Sequence, residues 1–207
     1  MLKRYARQTK TLLHQLLPQY AHSLTKQRTS YRAIEIQGRK APSIRKDDTK
    51  LHVDAFPANP TQGNRILRVF TNINPNGKPR HWQLGEPFEH VATQLLPQIT
   101  TKQFPGIARL LNQLNLTKSY RTNYDYIMLQ LHNSMKENKQ FQQSINPTDV
   151  FLPAGATWIV FTDQVSHAAL AGQYVLEQTF SLSLTGMCHV ERSPLNILER
   201  LTTQTLR

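Results

Sequence analysis

The chain has 207 residues, 39% of them hydrophobic, which is enough for a sizeable closed core and excludes a disordered chain. A single cysteine, Cys188, excludes an intrachain disulfide framework and fits a reducing compartment, and no apolar run reaches the roughly 18 residues of a membrane span. The expectation is a soluble, cytoplasmic protein whose formal charge of +12 points to anionic partners, although no nucleic-acid-binding motif, zinc-finger spacing or Walker loop accompanies that charge.

Residues 2–25 predict an amphipathic helix that Pro18 should kink or divide. Its leucines and tyrosines recur at helical spacing, with Lys3, Arg4, Arg7 and Lys10 mostly on the other face. Such a helix serves either as a peripheral membrane contact or as a lid on the core, and the second use is the commoner. From Thr29 to Arg39 the pattern turns strand-like, and Arg39–Lys50 reads as a polar loop. A short strand is expected at Leu51–Phe56 and a longer one at Arg65–Asn74, closed by Pro75-Asn76-Gly77. Helices are expected near 88–96, 106–116 and 123–140. Strand character returns at Asp149–Leu152, Thr157–Thr162 and Gln173–Leu184, before a terminal helix at 194–202.

Strands at both ends with helices between them suggest a sandwich or barrel that joins distant segments. Within one domain spanning 1–207, residues 1–27 form a helical N-terminal part, 29–75 and 149–185 the β core, and 88–140 a helical insertion.

His52-x-Asp54 is the sharpest local feature. On a strand, residues two apart face the same way, so an imidazole and a carboxylate converge. A second histidine from a distant strand would complete a facial triad with open coordination positions, the pattern of non-haem Fe(II) oxygenases. His167, beyond the turn Asp163-Gln164-Val165-Ser166, is the best third donor. A zinc hydrolase would use the same ligands.

Several segments together carry a more specific signal. Arg45 to Pro57, Gly63 to Pro75, Pro79-Arg80-His81-Trp82 to Glu89, and Thr157-Trp158 to His167 closely resemble the Kdo hydroxylase family, and the similarity runs through most of the chain. These enzymes are Fe(II)/2-oxoglutarate/O2-dependent dioxygenases that hydroxylate carbon 3 of the 3-deoxy-D-manno-oct-2-ulosonic acid (Kdo) sugar on lipid A. The resemblance implies a double-stranded β-helix (jelly-roll) core, mainly β with inserted helices, and iron on His52, Asp54 and His167. It also implies release of succinate and CO2, and a chain that starts at an internal helix of the family. A shortened relative that binds an anionic lipid-linked sugar without turnover is the alternative.

Many 2-oxoglutarate oxygenases place an Arg about ten residues after the distal His, where this chain has Leu176-Glu177-Gln178. A bound carboxylate still needs a cation. Arg65 and Arg68 are three apart on a strand and face opposite ways. By analogy with prolyl-hydroxylase-like enzymes Arg68 should look inward, with Asn72 as its neighbour and Arg65 the second choice. For the anionic substrate, Kdo-lipid A, the candidates are Arg45, Lys46 and Arg80 among a wider set that includes Arg28, Arg32 and Arg39. Trp82 and Trp158 are candidate walls of the site. Peripheral contact with the inner membrane would follow from such a substrate, and nucleic acid is not an expected partner.

Overall fold

The computed structural model describes residues 1–104 and 106–207. The strands are β1 (Leu24–Arg32), β2 (Arg65–Asn72), β3 (Arg80–Pro87), β4 (Thr148–Leu152), β5 (Thr157–Phe161), β6 (Val165–Ala171) and β7 (Val175–Leu182). The helices are α1 (Leu2–Leu16), α2 (Phe88–Leu95), α3 (Ile107–Gln113), α4 (Asn123–Glu137), α5 (Lys139–Ser144) and α6 (Pro194–Thr202). Antiparallel pairing builds one sheet in the order β1-β7-β2-β5 and a second in the order β4-β3-β6. The two form the expected jelly roll.

β2 is central in its sheet and buried on both faces, so its apolar residues form a nearly continuous run. Leu67 and Val69 face outward with Phe180, under Leu13 of α1. Phe70 faces inward and meets Trp82 and Ala169 of the other sheet. Tyr5 anchors α1 to its sheet by donating its hydroxyl to the Val69 carbonyl at 3.2 Å. The apolar stripe of α1 therefore lies on the β core. A third cluster fills the space between the other sheet and helices α2, α4 and α6, with Phe88, Leu95, Ile127, Leu131 and Leu198 all buried.

Several elements differ from expectation; β6, for one, begins at Val165 inside the expected turn 163–166, because its pairing with β3 extends to Pro87. The first helix ends at Leu16, and Pro18 opens a short 3-10 turn, because proline has no N–H to continue the helix. β1 then starts at Leu24, inside the predicted helix, and stops at Arg32, where its pairing with β7 ends at Val175. β3 was not expected, since its sequence is polar and holds Gly85 and Pro87; its pairing with β4 on one side and β6 on the other makes it a strand. The last predicted insertion helix is two, divided at Asn138, whose side chain accepts from the Phe141 N–H at 2.9 Å to cap α5.

The segment 51–56 is extended but joins the sheet by one bridge alone, His52 to His167. Three of its other backbone groups are met from the helical side. The Leu51 N–H and C=O are both met by the Gln142 side chain, at 3.1 and 2.9 Å, and the Val53 carbonyl by His132 Nδ1 at 2.7 Å. Satisfied from the helical side, the segment needs no second strand neighbour. Beyond it, Asp125 of α4 accepts from the Thr61 and Gln62 N–H groups and pairs with Thr122 in a capping box, which fixes the following loop.

Candidate metal centre

His52, Asp54 and His167 are buried, and one donor atom from each lies within 4.8 Å of the others. The bridge between His52 and His167 is closed by two backbone hydrogen bonds, of 3.0 and 2.9 Å. The Asp54 N–H donates to Thr162 O at 2.7 Å, so all three residues are referenced to the β5–β6 hairpin. His167 is the third residue of β6 and lies within the strand. Each imidazole points Nδ1 at a carbonyl two residues back in its own chain, His52 to Lys50 at 2.7 Å and His167 to Val165 at 2.8 Å. With Nδ1–H donating there, Nε2 keeps its lone pair for a metal. Burial lowers the pKa of both histidines, most strongly at His52, where the neighbouring His167 adds to the effect. Both imidazoles are neutral near neutral pH, the form that ligates.

Burial opposes ionisation of Asp54, but the Arg68 guanidinium, 3.1 Å from Oδ2, together with His167, His52 and the Thr162 hydroxyl, outweighs it and holds the carboxyl far below its usual range. An alternating charge chain continues outward. Arg68 approaches Glu177 at 3.6 Å, Glu177 pairs with Arg32 at 2.6 Å, and Arg32 reaches Asp48 at 3.5 Å. Glu177 thus occupies the place where an arginine is common in this chemistry; it faces inward as a carboxylate with its pKa lowered, Arg68 and then Arg32 offsetting the cost of burial.

Arg80 is differently placed. It is 3% exposed, its Nη1 donates to Gly172 O at 2.5 Å, its Nε is unpartnered, and it forms no ion pair among the described residues. Burial first, then the nearby Arg32 charge, lowers its pKa to about 10. It therefore stays a cation at neutral pH, aimed into a cavity of about 190 Å³ that His52, Asp54, His167, Arg68 and Trp82 also line. The Trp82 ring stacks on His167 with centroids 5.0 Å apart. Three protein donors beside a buried, uncommitted guanidinium suit a metal with open positions and a chelating dianion.

Not every expected residue joins this cavity. Arg68, Arg80 and Arg45 line it. Arg65 lies on the opposite face of β2, where Asp163 holds it at 2.7 Å, so strand alternation removes it from the site. Asn72 shares the inward face but sits at the strand end, donating to Lys78 O and Leu152 O and accepting from the Asn74 N–H; its hydrogen bonds serve that turn. Lys46 is exposed and outside the lining. Trp82 walls the cavity, while Trp158 lies behind Phe70, stacked on it at 5.2 Å.

His132 and Lys136 of α4 enter the lining without having been singled out. Lys136 is buried, its pKa is lowered by that burial, and its Nζ donates to Arg45 O at 3.1 Å. Both border the apolar stripe of α4 four residues apart, the one sequence signal available for them. A second, larger cavity of about 630 Å³ adjoins the first, sharing Arg32, Phe56 and Arg68 with it and adding Arg28, Tyr31 and Lys118.

A family model for 3-deoxy-D-manno-oct-2-ulosonic acid (Kdo) hydroxylase matches residues 1–205. Among solved structures, the chain is similar to the Kdo hydroxylase KdoO, a non-heme Fe(II) alphaketoglutarate dependent dioxygenase. To its complex with alphaketoglutarate and Fe(III) the TM-score is 0.96, and to its complex with succinate and Fe(III) it is 0.95. Identity is 52% in each, over 99% of this chain and 69% of that one. The apo form of KdoO gives a TM-score of 0.95 at the same identity and coverage. No curated protein matches.

Proposed function

The chain belongs to the Kdo hydroxylase family and is a non-haem Fe(II)- and 2-oxoglutarate-dependent dioxygenase, and on that premise we propose that it hydroxylates carbon 3 of the Kdo sugar of Kdo-lipid A, with iron on His52, Asp54 and His167. The observation that carries the reading is one buried His/Asp/His set within 4.8 Å beside a guanidinium that has no carboxylate partner among the described residues. Iron, 2-oxoglutarate and O2 together supply the oxidising chemistry, with succinate and CO2 as co-products. The chain's own residues bind and orient. Arg80 takes the distal carboxylate of 2-oxoglutarate, and its neutralisation there relieves the cost of a buried unpaired cation. Arg68 holds Asp54 ionised and in one rotamer. Trp82 and Phe70 exclude water from the cavity wall.

The smaller cavity suits a small diacid, and the larger one beside it has room for a sugar. Arg28, Arg32 and Lys118 there complement the Kdo carboxylate and the lipid A phosphates, with Arg45 and Lys136 at the other side of the metal. No helix among the described residues is long and apolar enough to cross a membrane. The lipid-linked acceptor itself supports a peripheral encounter at the cytoplasmic face of the inner membrane. Anaerobic protein reconstituted with Fe(II) and 2-oxoglutarate should form succinate in proportion to added Kdo-lipid A, and His52→Ala should abolish it. Succinate that ignores the glycolipid would sink the substrate assignment; iron bound without any succinate would sink turnover.

A further inference from the structure

Five large apolar side chains stand out of the surface in one short stretch. Phe104 is 77% exposed, Ile107 41%, Leu110 53%, and Leu114 and Leu116 58% each. Ile107, Leu110 and Leu114 share a face of α3 and its C-cap, at i, i+3 and i+7, while Ala108 is the residue that α3 buries. The charge of the stretch is one-sided. Between Glu89 and Asp125 the sequence has no acidic residue, yet Lys102, Arg109, Lys118 and Arg121 all fall there.

We propose that this face docks on an anionic lipid bilayer, with α3 lying in the headgroup region and the four cations around it. A contiguous apolar face rimmed by cations is the pattern of an interfacial helix, which buries apolar side chains at the acyl boundary and gains from anionic lipid. A second copy of the chain is the poorer occupant, because two such faces in apposition would bring four cations against four. The N-terminal helix, an amphipathic alternative, already spends its apolar stripe on the β core through Tyr5 and Leu13.

The position of the face fits its use. Lys118 donates its N–H to Ala58 O at 3.0 Å, and Arg121 reaches Pro57 O at 2.6 Å. These bonds tie the docking segment to the loop that follows Asp54, and Lys118 itself walls the larger cavity. Docking thus sets that wall against the headgroups, next to the route toward the metal through Phe56 and Arg32. The link to a glycolipid acceptor rests on the function proposed above; the binding to lipid does not.

The test is sedimentation of the whole chain with phosphatidylcholine vesicles, with and without phosphatidylglycerol and without any acceptor. Binding should need the anionic lipid, weaken with salt, and fall about tenfold or more in Leu110→Glu/Leu114→Glu. Lys102→Gln/Arg109→Gln, which leaves the apolar residues alone, should lose most of the preference for anionic lipid. Leu16→Glu on α1 should bind as wild type does. Unchanged thermal unfolding and iron binding would show that the variants remain folded. Equal binding by Leu110→Glu/Leu114→Glu, loss confined to Leu16→Glu, or no vesicle binding at all overturns the proposal. So does a wild-type dimer in light scattering that Leu110→Glu/Leu114→Glu turns into a monomer. Vesicle binding without succinate formation would leave docking standing and remove the function; succinate without vesicle binding would do the reverse.

Discussion

Arg80 and Arg68 are twelve residues apart, face the same cavity and have different electrostatic fates. Arg68 is committed to Asp54 and Glu177 as ion pairs, whereas Arg80 has one carbonyl, Gly172 O, and no ion pair among the described residues. Replacing Arg80 by Met should raise the KM for 2-oxoglutarate by roughly ten- to a hundredfold, the value of one charge-assisted hydrogen bond, and leave Fe(II) affinity nearly unchanged. Steady-state succinate formation against 2-oxoglutarate concentration, beside iron titration, separates the two. Gly172 is the seat of that arginine. Its φ of +104° disfavours any side chain, and a Cβ there would lie 3.1 Å from the Arg80 Cα. Gly172→Ala should therefore shift the same KM in the same direction, and an unaltered KM would show that Arg80 does not hold the co-substrate. Arg68→Met should behave otherwise and weaken iron binding first, since Asp54 loses the cation that keeps it ionised.

Two elements hold the centre from outside the sheets. α5 contributes Gln142, whose side chain meets both backbone groups of Leu51, one residue before the first ligand. Gln142→Ala leaves a part-buried N–H and C=O unpaired, at a cost of about 1–3 kcal/mol. Chemical denaturation should show that loss together with weaker iron binding, because the ligand segment has just one bridge to the sheet. α1 acts on the opposite side. Burial raises the Tyr5 hydroxyl to about 12, against the lowering effect of its hydrogen bond with Thr71. In the unfolded chain the value is about 10. The stability from the neutral hydroxyl is thus fully present below pH of about 10 and lost as pH rises through about 12, by roughly 2–3 kcal/mol at most. Tyr5→Phe should be less sensitive over that window than wild type. Parallel unfolding curves for the two chains above pH of about 10 would contradict this.

For the whole molecule, metal binding and folding are one equilibrium. The three donors come from segments more than a hundred residues apart, so the unfolded chain offers no equivalent site. Saturation with Fe(II) at about a hundred times Kd should then stabilise the fold by about 2.7 kcal/mol. Anaerobic thermal unfolding should show a midpoint that climbs with the logarithm of free metal in wild type and stays level in His52→Ala. A rise of equal size in the variant would place the stabilising ion elsewhere.

What sequence alone determined about this protein is local or pairwise. The alternation of β2 sorted Arg68 from Arg65, and two-residue spacing put His52 and Asp54 on one face. Pro18 divided the N-terminal segment, and the pattern over 194–202 matched α6 residue for residue. The family, and with it the jelly roll, was legible because several spaced segments had to agree at once. Tertiary structure decided what depends on partners. β3 is a strand because both neighbours pair with it, and 51–56 is not one because α4 and α5 satisfy its backbone. Asn72 has the right face but gives its hydrogen bonds to a turn. Above all, the choice between arginines needed their counterions. A guanidinium looks the same in any sequence, and only folding shows which has met a carboxylate and which still lacks one.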